Sequence, residues 1–176
     1  MDLRVTADAA AAADEAAGWV AHHLRGAAQR RGIATFAVSG GSTPAAMFRA
    51  LGTKDVPWES VHVFQVDERV APDGDPARNA ALLQLFPAAA TLHPMPVTAA
   101  DLPAAARSYA AELPGRFDVV HLGMGDDGHT ASWPPGDPVI EAEVPVALSG
   151  VYRGHVRMTL TPPVVNGARH RQIGRA

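Results

Sequence analysis

Apolar residues near the N-terminus recur at the spacing of one face of a helix. Residues 8–31 are rich in alanine and place Ala17, Val20 and Leu24 on one side, before Gly32. An apolar stripe with this period predicts an amphipathic helix, and a glycine is common just after a helix end. The first element is therefore predicted to be a helix that ends near Gly32.

The rest of the chain alternates short apolar runs with helical patterns. Strands are predicted at residues 33–38, 61–66, 91–95, 117–122, 144–148 and 155–161, and helices at 45–51, 77–86, 101–113 and from Pro162 to about Gly167. Strands that alternate with helices predict an α/β fold with a mostly parallel sheet and helices on both faces. We expect residues 1–176 to form one domain, since this length suits a single core.

The first predicted strand runs into a glycine-rich turn, Ser-Gly-Gly-Ser-Thr-Pro at 39–44. Thr43 is predicted to cap the following helix, with Pro44 as its first residue. The backbone N–H groups at such a helix start point outward and favour a phosphate group. The turn is equally suited to a tight connection without a ligand, and the residues alone leave both interpretations open.

Two further strand ends carry polar residues. Asp67-Glu68-Arg69 follows the second predicted strand, and the loop from Gly123 to His129 follows the fourth. Ligands bind at the carboxyl ends of strands in open α/β sheets. We therefore expect the strand ends at Gly40, Asp67 and Gly125 to meet in one cleft.

The loop after the fourth strand contains a carboxylate and an imidazole, Asp127 and His129, separated by one residue. An imidazole beside a carboxylate can activate water near neutral pH. Asp-Gly sequences are also common in turns without any catalytic role, so these residues alone favour neither interpretation.

Composition narrows the classes of protein. The chain is 47% hydrophobic, has a formal net charge of −3 and contains no cysteine, which excludes disulfides and thiolate zinc sites. Lys54 is its only lysine, and the dispersed arginines argue against a nucleic-acid partner. Arg169, Arg171 and Arg175 form a locally basic tail that we expect to be solvated. No segment approaches the ~18 apolar residues of a membrane span, so a cytoplasmic protein without membrane attachment is expected.

Four motifs occur in a characteristic order. They are Ser-Gly-Gly-Ser-Thr-Pro at 39–44, Val-Asp-Glu-Arg at 66–69 with Asn79 downstream, Leu-Gly-Met-Gly-Asp-Asp-Gly-His-Thr-Ala-Ser at 122–132, and Arg-Met-Thr-Leu-Thr-Pro-Pro-Val-Val-Asn at 157–166. Together they resemble the 6-phosphogluconolactonase family, within the wider group that includes glucosamine-6-phosphate deaminases. The resemblance runs from the first helix to about His170. It implies a modified Rossmann-like fold and hydrolysis of 6-phospho-D-glucono-1,5-lactone to 6-phosphogluconate.

Lactone hydrolysis suits the residue types of the 123–129 loop. A δ-lactone is an activated ester, so an enzyme need only orient water, remove its proton, stabilise the oxyanion and protonate the ring oxygen. His129 is the candidate base and then acid. Asp127 is the candidate that sets the tautomer of His129 or holds the water. The reaction requires no Lewis acid and no redox cofactor, so neither a metal nor NADP is expected.

The resemblance implies a set of substrate-binding residues. Arg69 would bind the 6-phosphate, with help from the helix start that follows Gly40, and Asp67 would lie near the sugar hydroxyls or the reacting centre. For Arg157 two interpretations stay open, a second phosphate ligand or a solvated arginine at a strand edge, and strand arginines are more often the latter. The candidate catalytic residues are His129, Asp127 and Asp67, and the candidate substrate-binding residues are Gly40, Gly41, Ser42, Thr43, Arg69, Asn79, Gly125 and Arg157.

Two other functions stay open from the sequence. In the deaminases, the histidine loop continues into Phe-Asn-Glu-Pro, whose glutamate assists ring opening, whereas residues 130–136 of this chain supply no acid. A deaminase is therefore disfavoured. The second alternative is a protein that binds a phosphosugar on the same scaffold without turnover.

The second alternative arises from the C-terminal residues. Family members continue past the Thr-Pro-Pro helix into a strand, a Gly-X-X-Lys segment and a closing helix, and we expect residues 169–176 to lack all three. Such a C-terminal truncation would expose a sheet edge and remove a phosphate-binding lysine. An active enzyme, a homodimer that covers the edge and an inactive fragment are all consistent with this expectation.

Overall fold

The fold combines a five-stranded sheet with a three-stranded sheet, and the computed structural model describes residues 2–174. The helices are α1 (Ala9–Arg31), α2 (Ser42–Gly52), α3 (Leu102–Glu112) and α4 (Pro162–Gly167). The strands are β1 (Ala34–Val38), β2 (Val61–Gln65), β3 (Asp67–Arg69), β4 (Thr91–His93), β5 (Val119–Gly123), β6 (Val146–Tyr152), β7 (His155–Leu160) and β8 (His170–Gly174). No helix within this part of the chain is long and apolar enough to cross a bilayer.

The larger sheet is parallel throughout and has the strand order β4-β2-β1-β5-β8. This confirms the predicted mostly parallel α/β fold. The smaller sheet has the order β3-β7-β6 and is antiparallel, and the sequence pattern did not predict it. Because β1 lies at the centre of the large sheet, its carboxyl end is flanked by the ends of β2 and β5.

Buried side chains of β1 alternate between the two faces of the large sheet. Phe36 and Val38 pack with α1 and α2 in one apolar cluster, whereas Ala37 joins a second cluster with α3, α4 and the smaller sheet. All five β1 residues are buried. The predicted cover of helices on both faces is therefore confirmed.

Two helix starts differ in how closely they follow the sequence rules. Asp8 caps α1, where its Oδ1 accepts from the backbone N–H of Ala11 at 2.8 Å, and Gly32 ends this helix with φ of 74°, as predicted. The predicted cap at Thr43 is wrong. Gly41, with φ of 115°, lets the chain turn into α2 two residues earlier, so Thr43 lies inside the helix.

The segment after β2 was predicted as a strand end and is instead a separate strand. At Val66 the chain passes from one sheet to the other, since the N–H of Val66 donates to Val38 O at 2.8 Å and its C=O accepts from Leu160 N at 2.7 Å. Asp67 to Arg69 then pairs with β7 as β3. The predicted helix at 77–86 is a 3₁₀ segment over Asn79–Leu85.

The expectation that the C-terminal strand is missing is also wrong. His170–Gly174 forms β8, which pairs in parallel with β5 from Val119↔His170 to Gly123↔Gly174. The strand has few apolar side chains, so hydrophobic period could not reveal it, and its backbone hydrogen bonds to β5 hold it. Arg171 belongs to this strand and is not a free tail residue, whereas Arg175 lies outside the described residues.

Candidate active site

A pocket of about 200 Å³ opens at the carboxyl ends of β1 and β5, against the smaller sheet. Its walls contain Ser39, Gly40, Asp67, Arg69, Asn79, Gly123, Met124, Gly125, His129, Ala131, Tyr152, Arg153 and Arg157. The three strand ends at Gly40, Asp67 and Gly125 thus meet in one cleft, as the sequence predicted.

His129 and Asp127 form a close pair at the rim of this pocket. His129 Nδ1 lies 2.5 Å from Asp127 Oδ1. A carboxylate only accepts hydrogen bonds, so Nδ1 carries the proton, and in the neutral imidazole Nε2 is left as the acceptor nitrogen. The bonds from His129 and then Tyr152 hold the pKa of Asp127 well below its usual range. The pair therefore has the tautomer that a general base requires.

Backbone hydrogen bonds within the 123–129 loop keep it compact. Gly125 N donates to His129 O at 2.8 Å, and Gly128 N donates to Gly125 O at 3.0 Å. Gly128 has φ of 85°, a conformation that glycine adopts without strain. Thr130 Oγ1 donates to Gly123 O at 2.8 Å, which ties the loop to the end of β5. His129 is thus held on a loop anchored to a central strand.

Two guanidinium groups face the pocket from neighbouring strands. Arg69 on β3 and Arg157 on β7 are direct partners in the antiparallel register. Among the described residues, neither Nε has a hydrogen-bond partner, although both atoms are buried. Arg69 Nη1 donates to Ala77 O at 2.5 Å. Two neighbouring cations with unused donors repel each other and favour a bound anion.

Asp67 places a buried carboxylate between these cations and the histidine loop. Its Oδ2 accepts from Ser132 Oγ at 2.6 Å, and Asn79 Nδ2 donates to its backbone O at 3.0 Å. Burial raises the pKa of Asp67, while the bond from Ser132 and the charges of Arg69 and Arg157 act in the opposite direction. Asp67 is therefore oriented by its neighbours and also lines the pocket.

Glu68, the next residue, points away from the pocket and organises the segment around Asn79. It is fully buried. Its Oε1 accepts from Arg69 N at 2.8 Å and Asn79 N at 2.7 Å, and its Oε2 accepts from Ala80 N at 2.8 Å. These bonds join β3 to the start of the 3₁₀ segment, and so they fix where Asn79 enters the pocket wall.

The predicted site residues fall into two groups. Gly40, Asp67, Arg69, Asn79, Gly125, His129 and Arg157 line the pocket, whereas Gly41, Ser42, Thr43 and Asp127 do not. Asp127 contacts His129 and Tyr152, which both line the pocket. Gly41, Ser42 and Thr43 lie next to Gly40 at the start of α2, and their predicted contact with phosphate stays a prediction.

Six residues of the pocket wall are not among the predicted site residues: Ser39, Gly123, Met124, Ala131, Tyr152 and Arg153. Tyr152 and Arg153 lie at the β6–β7 hairpin, whose first strand the pattern had ended at Leu148. Two strand-like runs separated by two residues that end in Gly154 are a hairpin signal, and this signal identifies the tip. Within residues 2–174, no three or more His, Asp or Glu side chains are grouped to hold a metal ion.

Comparison with known sequences identifies the family. The family of glucosamine-6-phosphate isomerases/6-phosphogluconolactonase matches residues 7–173. A 6-phosphogluconolactonase of Rhizobium meliloti is 37% identical over 175 residues, which cover 91% of this chain and 75% of that protein. One of Synechocystis sp. is 40% identical over 155 residues, which cover 79% of this chain and 65% of that protein. The chain therefore belongs to this family, and it spans slightly under two thirds of the Synechocystis relative.

Solved structures agree with this assignment. A 6-phosphogluconolactonase from Shewanella baltica superposes with a TM-score of 0.88 at 30% identity, covering 94% of this chain and 77% of that chain. A monomeric glucosamine-6-phosphate deaminase superposes with a TM-score of 0.84 at 16% identity, covering 98% of this chain and 81% of that chain. The second likeness shows the shared fold alone. The resemblance inferred from the four motifs is thus confirmed at the level of family.

Proposed function

We propose that this protein hydrolyses 6-phospho-D-glucono-1,5-lactone to 6-phospho-D-gluconate, a step of the oxidative pentose phosphate pathway. One observation carries the proposal: a single pocket contains an imidazole paired with a carboxylate and, on the adjoining wall, two guanidinium groups with unused donors. Such a pocket suits a substrate with an anion at one end and an electrophilic carbonyl at the other. The relatives of the same family named 6-phosphogluconolactonase support this choice.

In the proposed mechanism, His129 Nε2 takes a proton from water as the water attacks the lactone carbonyl. Asp127 stabilises the imidazolium that forms, because its carboxylate already accepts from Nδ1. The ring oxygen leaves with the proton that His129 returns, and the products are a carboxylic acid and a hydroxyl group. The reaction consumes one water, and the enzyme ends in its starting protonation state.

The phosphate group is proposed to bind between Arg69 and Arg157. Both arginines line the pocket and their guanidinium groups can donate to the phosphate oxygens, and Arg153 adds a third cation. Asp67 is proposed to accept from a sugar hydroxyl, since Ser132 occupies only one of its carboxylate oxygens at short distance. Cytoplasmic location and a homodimer stay predictions, and a native mass measurement tests the second.

The proposal is tested by assaying lactone hydrolysis against the spontaneous rate. His129→Ala is expected to lower kcat by about a thousandfold with the fold intact, because both the base and the later acid are lost. His22→Ala is the matched control, since His22 is exposed on α1 and outside the pocket. Wild-type hydrolysis at the spontaneous rate, or equal rates for wild type and His129→Ala, would contradict the proposal.

A further inference from the structure

Tyr152 approaches the histidine loop from the smaller sheet. It ends β6 and pairs with His155 across a two-residue turn, in which Arg153 has φ of 49° and Gly154 has φ of 85°. Positive φ at both turn residues is typical of the tight hairpin turn whose twist matches that of the strands. The turn therefore fixes the place of Tyr152 relative to β7, which also carries Arg157.

The Tyr152 hydroxyl contacts the carboxylate that orients His129. It donates to Asp127 Oδ2 at 2.7 Å, while Asp127 Oδ1 faces His129 Nδ1 at 2.5 Å. Asp127 Oδ1 is thus bound by a residue of its own loop, and Asp127 Oδ2 is bound by a residue of β6. A carboxylate held at both oxygens cannot rotate without breaking a bond, although the Asp127 side chain is 31% exposed.

The Tyr152 ring is held by three neighbours. The His129 ring packs edge-on with centroids 5.2 Å apart. The guanidinium carbons of Arg157 and Arg153 lie 5.1 Å and 5.4 Å from the centroid of the tyrosine ring, within the range of cation–π attraction. Arg157 is one of the two arginines proposed to bind the phosphate. The tyrosine ring therefore contacts both a proposed phosphate ligand and the proposed base, His129.

We propose that Tyr152 is a positioning residue, which clamps Asp127 so that His129 keeps its proton on Nδ1 and presents Nε2 to water. The proposal rests on the lactonase function proposed above. The bond to Asp127 raises the pKa of Tyr152, so the hydroxyl remains protonated and able to donate at neutral pH. The ring of Tyr152 lines the pocket, and its hydroxyl acts on His129 through Asp127.

A kinetic test separates positioning from packing. Tyr152→Phe keeps the ring and removes only the hydroxyl, and we expect kcat to fall about tenfold with KM changed less than twofold, from loss of one charge-assisted hydrogen bond. In an Asp127→Ala background the same substitution is expected to have no further effect on kcat. An unchanged kcat in Tyr152→Phe, or a full additional loss in the Asp127→Ala background, would overturn the proposal.

Tyr109→Phe is the matched control, because it removes the hydroxyl of the other tyrosine of the chain. Tyr109 is buried in α3, and its hydroxyl bonds to the backbone of Gln65 and His93, outside the pocket. We expect this substitution to lower Tm and leave kcat unchanged. A loss of kcat caused by general destabilisation would appear in both variants, which would remove the support for Tyr152.

A second readout does not depend on turnover. Nitrogen-15 NMR of the histidine rings at pH 8, assigned with His129→Ala, is expected to show one Nδ1-protonated tautomer in the wild type and a mixture in Tyr152→Phe. An unchanged tautomer in Tyr152→Phe would refute the clamp. If the wild type fails to hydrolyse the lactone while the tautomer responds as expected, the proposed function fails and the positioning role of Tyr152 stands.

Discussion

Two glycines, Gly40 and Gly125, make room for the polar side chains of the pocket. A Cβ atom on Gly40 would lie 1.8 Å from Asn79 Oδ1, and one on Gly125 would lie 2.4 Å from His129 Nδ1. Gly125 does not have positive φ, so only space requires glycine there. The position of the imidazole thus depends on the absence of a side chain at Gly125.

Gly125→Ala is expected to lower the proposed lactonase kcat by about a hundredfold, because a shift of His129 by the size of a methyl group removes the near-attack geometry. Gly115→Ala is the control, since a Cβ at Gly115 meets no atom within 4 Å. Steady-state kinetics with Tm measured in parallel tests this. Equal kcat values for the two alanine variants would show that the imidazole tolerates the methyl group.

At the scale of elements, the strand β3 and the following 3₁₀ segment depend on one buried carboxylate. Glu68 accepts from three backbone N–H groups and from Gln65 Nε2 at 3.0 Å, and Arg78 Nε lies 3.1 Å from its Oε2. An acceptor with this many donors cannot be replaced by a group that itself donates. The local sequence shows only a charged residue after a strand, and so it does not reveal this role.

Glu68→Gln is expected to lower the free energy of unfolding by about 3 kcal/mol, because its amide N–H₂ would face donors in a buried site. For a chain of this size the corresponding fall in Tm is about 6–12 °C. Glu59→Gln, at an exposed position of the neighbouring 3₁₀ turn, is the control and is expected to leave Tm unchanged. Thermal unfolding of both variants measures the difference, and a Tm of Glu68→Gln equal to that of wild type would refute the role.

Helix ends were predictable from the sequence where a single capping side chain or glycine fixes the end. Asp8 and Asp101 cap α1 and α3 through bonds to backbone N–H groups three residues ahead, and Gly32 ends α1 in the left-handed conformation. The start of α2 was not predictable in this way, because the backbone freedom of Gly41 replaces a side-chain cap. Rules for helix ends depend on residues within one turn of the helix. They do not predict which sheet a polar strand such as β3 joins.

At the scale of the whole molecule, a buried and a half-buried histidine make stability depend on pH. Burial lowers the pKa of His121 to about 4, and burial with the neighbouring His170 lowers the pKa of His23 to about 4. His121 lies on β5 against Phe48, with ring centroids 5.5 Å apart. The unfolded chain protonates such groups near pH 6.5, whereas the folded chain protonates them only near pH 4. Their contribution to stability is complete above pH 6.5 and is lost as the pH falls toward 4.

Acidification from pH 7 to pH 5 is therefore expected to cost about 2 kcal/mol of unfolding free energy through His121. His121→Leu is expected to remove that part of the pH dependence, whatever its effect on stability at pH 7. His22→Leu, at an exposed position, should retain it. Denaturant unfolding at both pH values gives the two differences, and an unchanged difference in His121→Leu would contradict the assignment to this residue.

Local patterns in the chain were sufficient for the four α-helices, for six of the eight strands, for the family and for seven of the pocket residues. Helical period, strand period and capping residues act over a few positions, and the polar ends of parallel strands meet at one edge by geometry. Packing between distant segments decided the rest. Asp67 to Arg69 joins β7, Tyr152 reaches Asp127 from 25 positions away, and β8 docks beside β5. These contacts depend on backbone hydrogen bonds and side-chain approach across the fold, which no local period encodes.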